Sequence, residues 1–126
     1  MGRAAISSEV MGYDITSFLP RAAPADPASV ALPRDEGMTE ASYYQTRSGS
    51  SDARALLEAL DAVEHDGGVS GKGIGRYFTR DQIRDACRRL CLSYLDGCVT
   101  ERPLRFIMQT AEALREDQPW VYIEFA

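Results

Sequence analysis

The stretch PWVYIEFA, residues 119–126, decides the fold class. Val121, Ile123 and Phe125 alternate with Trp120, Tyr122 and Glu124. That period of two puts one set of side chains on each face of a β-strand. A strand's backbone groups need partners. MGYDITSFL, residues 11–19, offers them, with Met11, Tyr13 and Ile15 facing one way and Asp14 and Thr16 the other. MTEASYYQTRSG, residues 38–49, adds a candidate strand through Tyr43 and Tyr44. IGRYF, residues 74–78, reads as a short one.

The chain between these strands has helical spacing. In SDARALLEALDAVEHD, residues 51–66, Ala53, Leu56, Leu57, Leu60 and Val63 fall in one apolar stripe. Arg54, Glu58, Asp61 and His65 lie opposite, and Gly67 and Gly68 are the expected stop. Thr79 and Gln82 form a capping box, with Phe78 and Ile83 at the positions of a hydrophobic staple. Ile83, Cys87, Leu90, Cys91 and Tyr94 form the expected buried stripe of that helix, and Gly97 ends it. A third helix begins near Pro103, with Leu104, Ile107, Met108, Ala111 and Leu114 on its main apolar face. Phe106 and Ala113 fall outside that face.

This order predicts an α+β fold: a small, mostly antiparallel sheet that includes the N- and C-terminal strands, with about three helices packed on one face. Residues 1–10 carry no hydrophobic period and read as a disordered N-terminal extension. Residues 11–126 read as a single α+β domain. Its segment 20–37 holds four of the six prolines and is expected to be a Pro-rich loop.

Composition narrows the function. No apolar run is long enough to cross a membrane, and the N-terminus has no apolar signal region, so a cytoplasmic protein is expected. A net charge of −5 argues against general nucleic-acid binding, which needs a positive field. Three cysteines, Cys87, Cys91 and Cys98, do not make a disulfide framework.

GGVSGKGIGR, residues 67–76, is the stretch that most resembles a phosphate loop. A P-loop requires Ser or Thr after its lysine, a glycine where Asp66 stands, and a preceding strand. Here Lys72 is followed by Gly73, and a helix precedes the segment. The spacing of Gly71, Gly73 and Gly75 also misses the dinucleotide fingerprint. A looser anion site of Lys72, Arg76 and backbone amides stands against the plainer reading, a flexible connector into a strand.

Other constellations are weaker. Cys87, Cys91 and Cys98 lack a fourth ligand for zinc, so no metal or cofactor is expected. His65 is the single histidine, and a nucleophilic pair would require Cys98 beside it. Asp14 and Glu124 would form a carboxylate pair only if their strands align them. Lys72, Arg76, Arg80, Arg84, Arg88 and Arg89 outnumber Asp81 and Asp85, giving one positive region in an acidic chain. It reads either as a docking patch for an acidic partner or as a solvated helix face with internal ion pairs.

The expectation is a small cytoplasmic, non-enzymatic protein-interaction module of adaptor or immunity type. Its partner is another protein or a second copy, met through Leu92 and Phe106, with Lys72, Arg76, Arg80 and Arg84 as positive docking residues. The competing reading is a ligand-binding or enzymatic domain that holds a phosphorylated small molecule at loop 71–76.

Overall fold

The computed structural model describes residues 12–24, 32–47, 49–65 and 74–126. The proposed extension at 1–10 and most of the glycine-rich loop lie outside these residues. The elements run β1 (Gly12–Leu19), β2 (Leu32–Pro33), β3 (Thr39–Arg47), α1 (Ser51–Leu60), a 3-10 turn (Val63–His65), β4 (Ile74–Thr79), α2 (Arg80–Leu95), α3 (Glu101–Ala113) and β5 (Trp120–Phe125). The strands form one sheet in the order β2-β4-β5-β1-β3, and every pairing is antiparallel. This is the expected α+β architecture, with the terminal strands β1 and β5 paired at its centre.

The alternation in β5 is realised. Val121, Ile123 and Phe125 are buried and join Ile15, Tyr44 and Phe78 in the core beneath the helices. The opposite sheet face has a second, smaller cluster. Phe18, Tyr122 and Tyr77 stand in register across β1, β5 and β4. Arg34, just after β2, lies 4.6 Å from the Phe18 ring centre and pairs with Glu124 at 3.7 Å. Tyr122 is fully buried although it points away from the helices, with Phe18 and Tyr77 on either side of it. A two-residue strand interrupts the segment expected to be only loop.

The helices differ from the expected reading in their ends and rotation. Asp61, not Gly67, stops α1: it takes the left-handed conformation at φ 57°, and its amide donates to Glu58 and Leu57. Aspartate tolerates that conformation better than most residues. The following turn carries His65 inward, where it stacks on Phe125 with ring centres 4.6 Å apart, instead of facing solvent.

In α2 the capping box is complete: Gln82 N–H donates to Thr79 Oγ1, and Thr79 N–H donates to Gln82 Oε1. The buried side is Ile83, Ala86 and Leu90; Cys87 is half-buried, while Cys91 and Tyr94 are exposed. In α3, Thr100 caps the helix ahead of the expected start, and Pro103, Phe106, Ile107 and Thr110 are buried. Phe106 is thus core and Met108 is surface, the reverse of the expected assignment.

Candidate functional site

Of the sequence-derived docking residues, Arg76 lies on β4, and Arg80 and Arg84 lie one helical turn apart on α2. Lys72 lies outside the described residues. Arg76 is held to the fold: its Nη1 donates to Glu64 Oε2 at 2.8 Å and to the Asp61 carbonyl at 3.2 Å. Its guanidinium also lies 4.8 Å from the Phe78 ring centre. Arg80 opens α2, half-buried, with its amide bonded to the Pro119 carbonyl. Arg84 is exposed further along that helix. Arg88 and Arg89 both pair with Asp85 along the helix.

The acid–base and nucleophile candidates are separated. Asp14 exchanges backbone bonds with Ala126, whereas Glu124 pairs with Thr16, so the two carboxylates are not opposite one another. Asp14 accepts from Tyr43 Oη at 2.6 Å, while Glu124 is engaged by Arg34. His65 is in the core and Cys98 is exposed beyond α2. Among the described residues no three acidic, cysteine or histidine side chains gather as a metal site.

Leu92 is exposed as expected, and so are three further apolar side chains on the same helix pair. Leu92, Tyr94, Leu95 and Met108 are 58, 43, 73 and 45% exposed. These are four of the six large exposed apolar side chains among the described residues, and all four are on α2 and α3. Single exposed apolar residues are ordinary, but of these four Tyr94 and Met108 line one groove together.

Tyr94 and Met108 come together where α2 and α3 pack. The two helices form a helical hairpin through the connection 96–100, and both rest on the core. Cys87 on α2 and Leu104 and Ala111 on α3 are half-buried against that core, and Leu104 also lines the groove with Tyr94 and Met108. Together with Glu101, Arg105 and Glu112 these three form a groove of about 370 Å³. Arg105 pairs with Glu101 at 2.9 Å along its edge. Burial pushes the Cys87 thiol up, and neighbouring Cys91 adds to the shift.

Helical periodicity alone could have flagged Leu92 and Leu95, which fall away from the Ile83–Leu90 side of α2. Nothing in the sequence separates Tyr94 and Met108 from core residues, because both fit an apolar stripe. Comparison with protein-family models, curated proteins and solved structures returns no match.

Proposed function

We propose that the chain is a cytoplasmic protein-interaction module whose docking surface is the outer face of α2 and α3. The supporting observation is the concentration of Leu92, Tyr94, Leu95 and Met108 there. The partner chemistry that fits is an amphipathic helix. A groove between two antiparallel helices accepts a third helix through apolar anchors at helical spacing. Charges of both signs edge the face, with Arg84 and Arg88 on α2 and Glu101 and Glu112 on α3. A partner with mixed flanking charges complements them, which sets orientation more than affinity. The overall charge of −5 disfavours general nucleic-acid binding. The described helices include none long and apolar enough to cross a membrane.

Photo-crosslinking in the native cell tests this reading. A benzophenone side chain at Leu95 should capture one partner protein that the same probe at Glu58, on the far helix α1, does not. The purified partner should then bind a Leu92→Glu/Met108→Glu variant at least about tenfold more weakly, with an unchanged melting curve. Undiminished binding by that variant would remove this face as the interface. Capture only of a second copy, with a concentration-dependent dimer, would replace the partner helix by self-association.

The competing reading, a phosphorylated ligand at loop 71–76, loses one of its two cations as a free group because Arg76 is committed to Glu64.

A further inference from the structure

At the far end of the sheet from Leu95, where β1 ends and β5 begins, a cleft of about 470 Å³ opens. It is larger than the α2–α3 groove and within the range of small-molecule sites, roughly 300–1,000 Å³. Its chemistry differs as well. Arg21, Arg115, Trp120, Thr39 and Gln118 line it, with Asp117 the single carboxylate among the lining residues. Among the described residues no carboxylate pairs with either guanidinium.

The walls are fixed by the fold. Gln118 Nε2 donates to the Pro20 carbonyl at 2.8 Å, tying the α3–β5 turn to the end of β1. Arg115 and Gln118 close that turn through reciprocal backbone bonds of 3.3 and 3.0 Å. The Pro119 carbonyl accepts from Arg80 N at 2.8 Å, so the start of α2 supports the same wall. Arg21 lies along bare backbone at Gly37, whose φ is +88°; a Cβ there would come within 2.7 Å of Arg21 Cδ. The glycine thus leaves the space that the arginine's stem and guanidinium fill, Nη1 lying 2.9 Å from the same Cβ position.

We infer that this cleft binds a small phosphomonoester bearing a flat ring, with Arg21 and Arg115 on the phosphate and the Trp120 indole against the ring. Guanidinium forks match phosphate oxygens in geometry and charge. Two cations and one carboxylate leave a net positive site for a dianion. Indole faces stack on flat rings without demanding one ring chemistry. This assignment is independent of the α2–α3 interface, so either can fail alone.

The chain has one tryptophan, so its fluorescence reports on this cleft directly. The probes are adenosine and uridine monophosphates, with inorganic phosphate and the free nucleosides as separate arms, followed by Trp120 fluorescence and by calorimetry. The expected result is saturable binding of a nucleoside monophosphate, with phosphate alone and nucleoside alone each at least about tenfold weaker. Arg21→Gln and Arg115→Gln should each weaken it about tenfold or more and leave the melting temperature unchanged, since both side chains are exposed. Gly37→Ala should weaken it while keeping both charges. Absence of saturable binding by any phosphorylated probe up to about 1 mM would overturn the inference. So would binding that survives both arginine substitutions, or phosphate binding as tightly as the nucleotide.

Discussion

Arg76 and Glu64 are joined by a 2.8 Å ion pair in which the arginine is the more enclosed partner, 14% exposed against 54% for the carboxylate. The pair links β4 to the turn after α1. A hydrogen bond with its own backbone lowers the pKa of Glu64 below the ordinary 4.5; desolvation opposes this, and Arg76 and His65 add to the lowering.

A pH dependence follows. A carboxyl with a depressed folded-state value contributes stability above 4.5, and that contribution disappears as pH falls through the folded value. Arg76→Met keeps the apolar stem over Phe78 but removes the charge. The variant should lose less stability than the wild type between about pH 5 and 3. The difference should be small, because solvent screens a half-exposed carboxylate. Chemical denaturation at several pH values measures it; parallel acid limbs would show that Arg76 does not act on Glu64.

Gly75 is required by a close approach of strands. A Cβ there would overlap the Ile123 carbonyl oxygen and come within 2.7 Å of the carbonyl carbon, both backbone atoms of β5. Backbone in a central strand cannot give way as a flexible side chain does. Gly75→Ala should therefore cost about 3 kcal/mol, the upper part of the overpacking range, read from the urea midpoint. A cost below about 1 kcal/mol would mean that β4 shifts freely against β5.

The strands were legible because their signal is local. Val121, Ile123 and Phe125 state their face by alternation, and Thr79 with Gln82 states where α2 starts. Helix rotation was less legible. Ala86 is weakly apolar yet fully buried, whereas Cys91 belongs to the same broad stripe and is exposed. Which edge of a stripe is covered depends on the neighbouring helices, and sequence spacing does not contain that information. Phe106 and Met108 exchanged roles for the same reason. The Arg21–Arg115 cleft was invisible because its cations come from opposite ends of the chain and meet only through the pairing of β1 with β5.

The thiols should reflect this rotation. Cys91 and Cys98 are exposed and Cys87 is half-buried with its pKa raised by burial. Since the thiolate is the reactive form, an exchange reagent at pH 8 should label two thiols quickly and one slowly in the native protein. Cys87→Ala should remove the slow phase alone. Three equal rates would contradict the burial of Cys87 against the core.

Ser17 and Thr110 make a buried polar link between sheet and helix. Their hydroxyls are 2.8 Å apart, both residues are fully buried, and Thr110 Oγ1 also donates to the Phe106 carbonyl at 2.9 Å. Thr110 has one hydroxyl proton, so while it serves Phe106 the oxygen accepts from Ser17. A second acceptor for Ser17, the Ser42 carbonyl, is 3.5 Å away, at the limit of a useful bond. Thr110→Val keeps the shape of the side chain but leaves Ser17 without its short partner. A buried hydroxyl that loses its partner costs about 1–3 kcal/mol, so the single substitution should destabilise by that order. Ser17→Ala alone should cost less, because Thr110 retains the Phe106 carbonyl. Once Ser17 is alanine, Thr110→Val no longer strands a hydroxyl, and its added cost should fall. The double variant should thus be more stable than the sum of the two singles implies, by about 0.5–1 kcal/mol of coupling in a urea-denaturation cycle. Strict additivity would show that the two hydroxyls are near neighbours without a shared bond, and that α3 is seated on β1 by apolar packing alone.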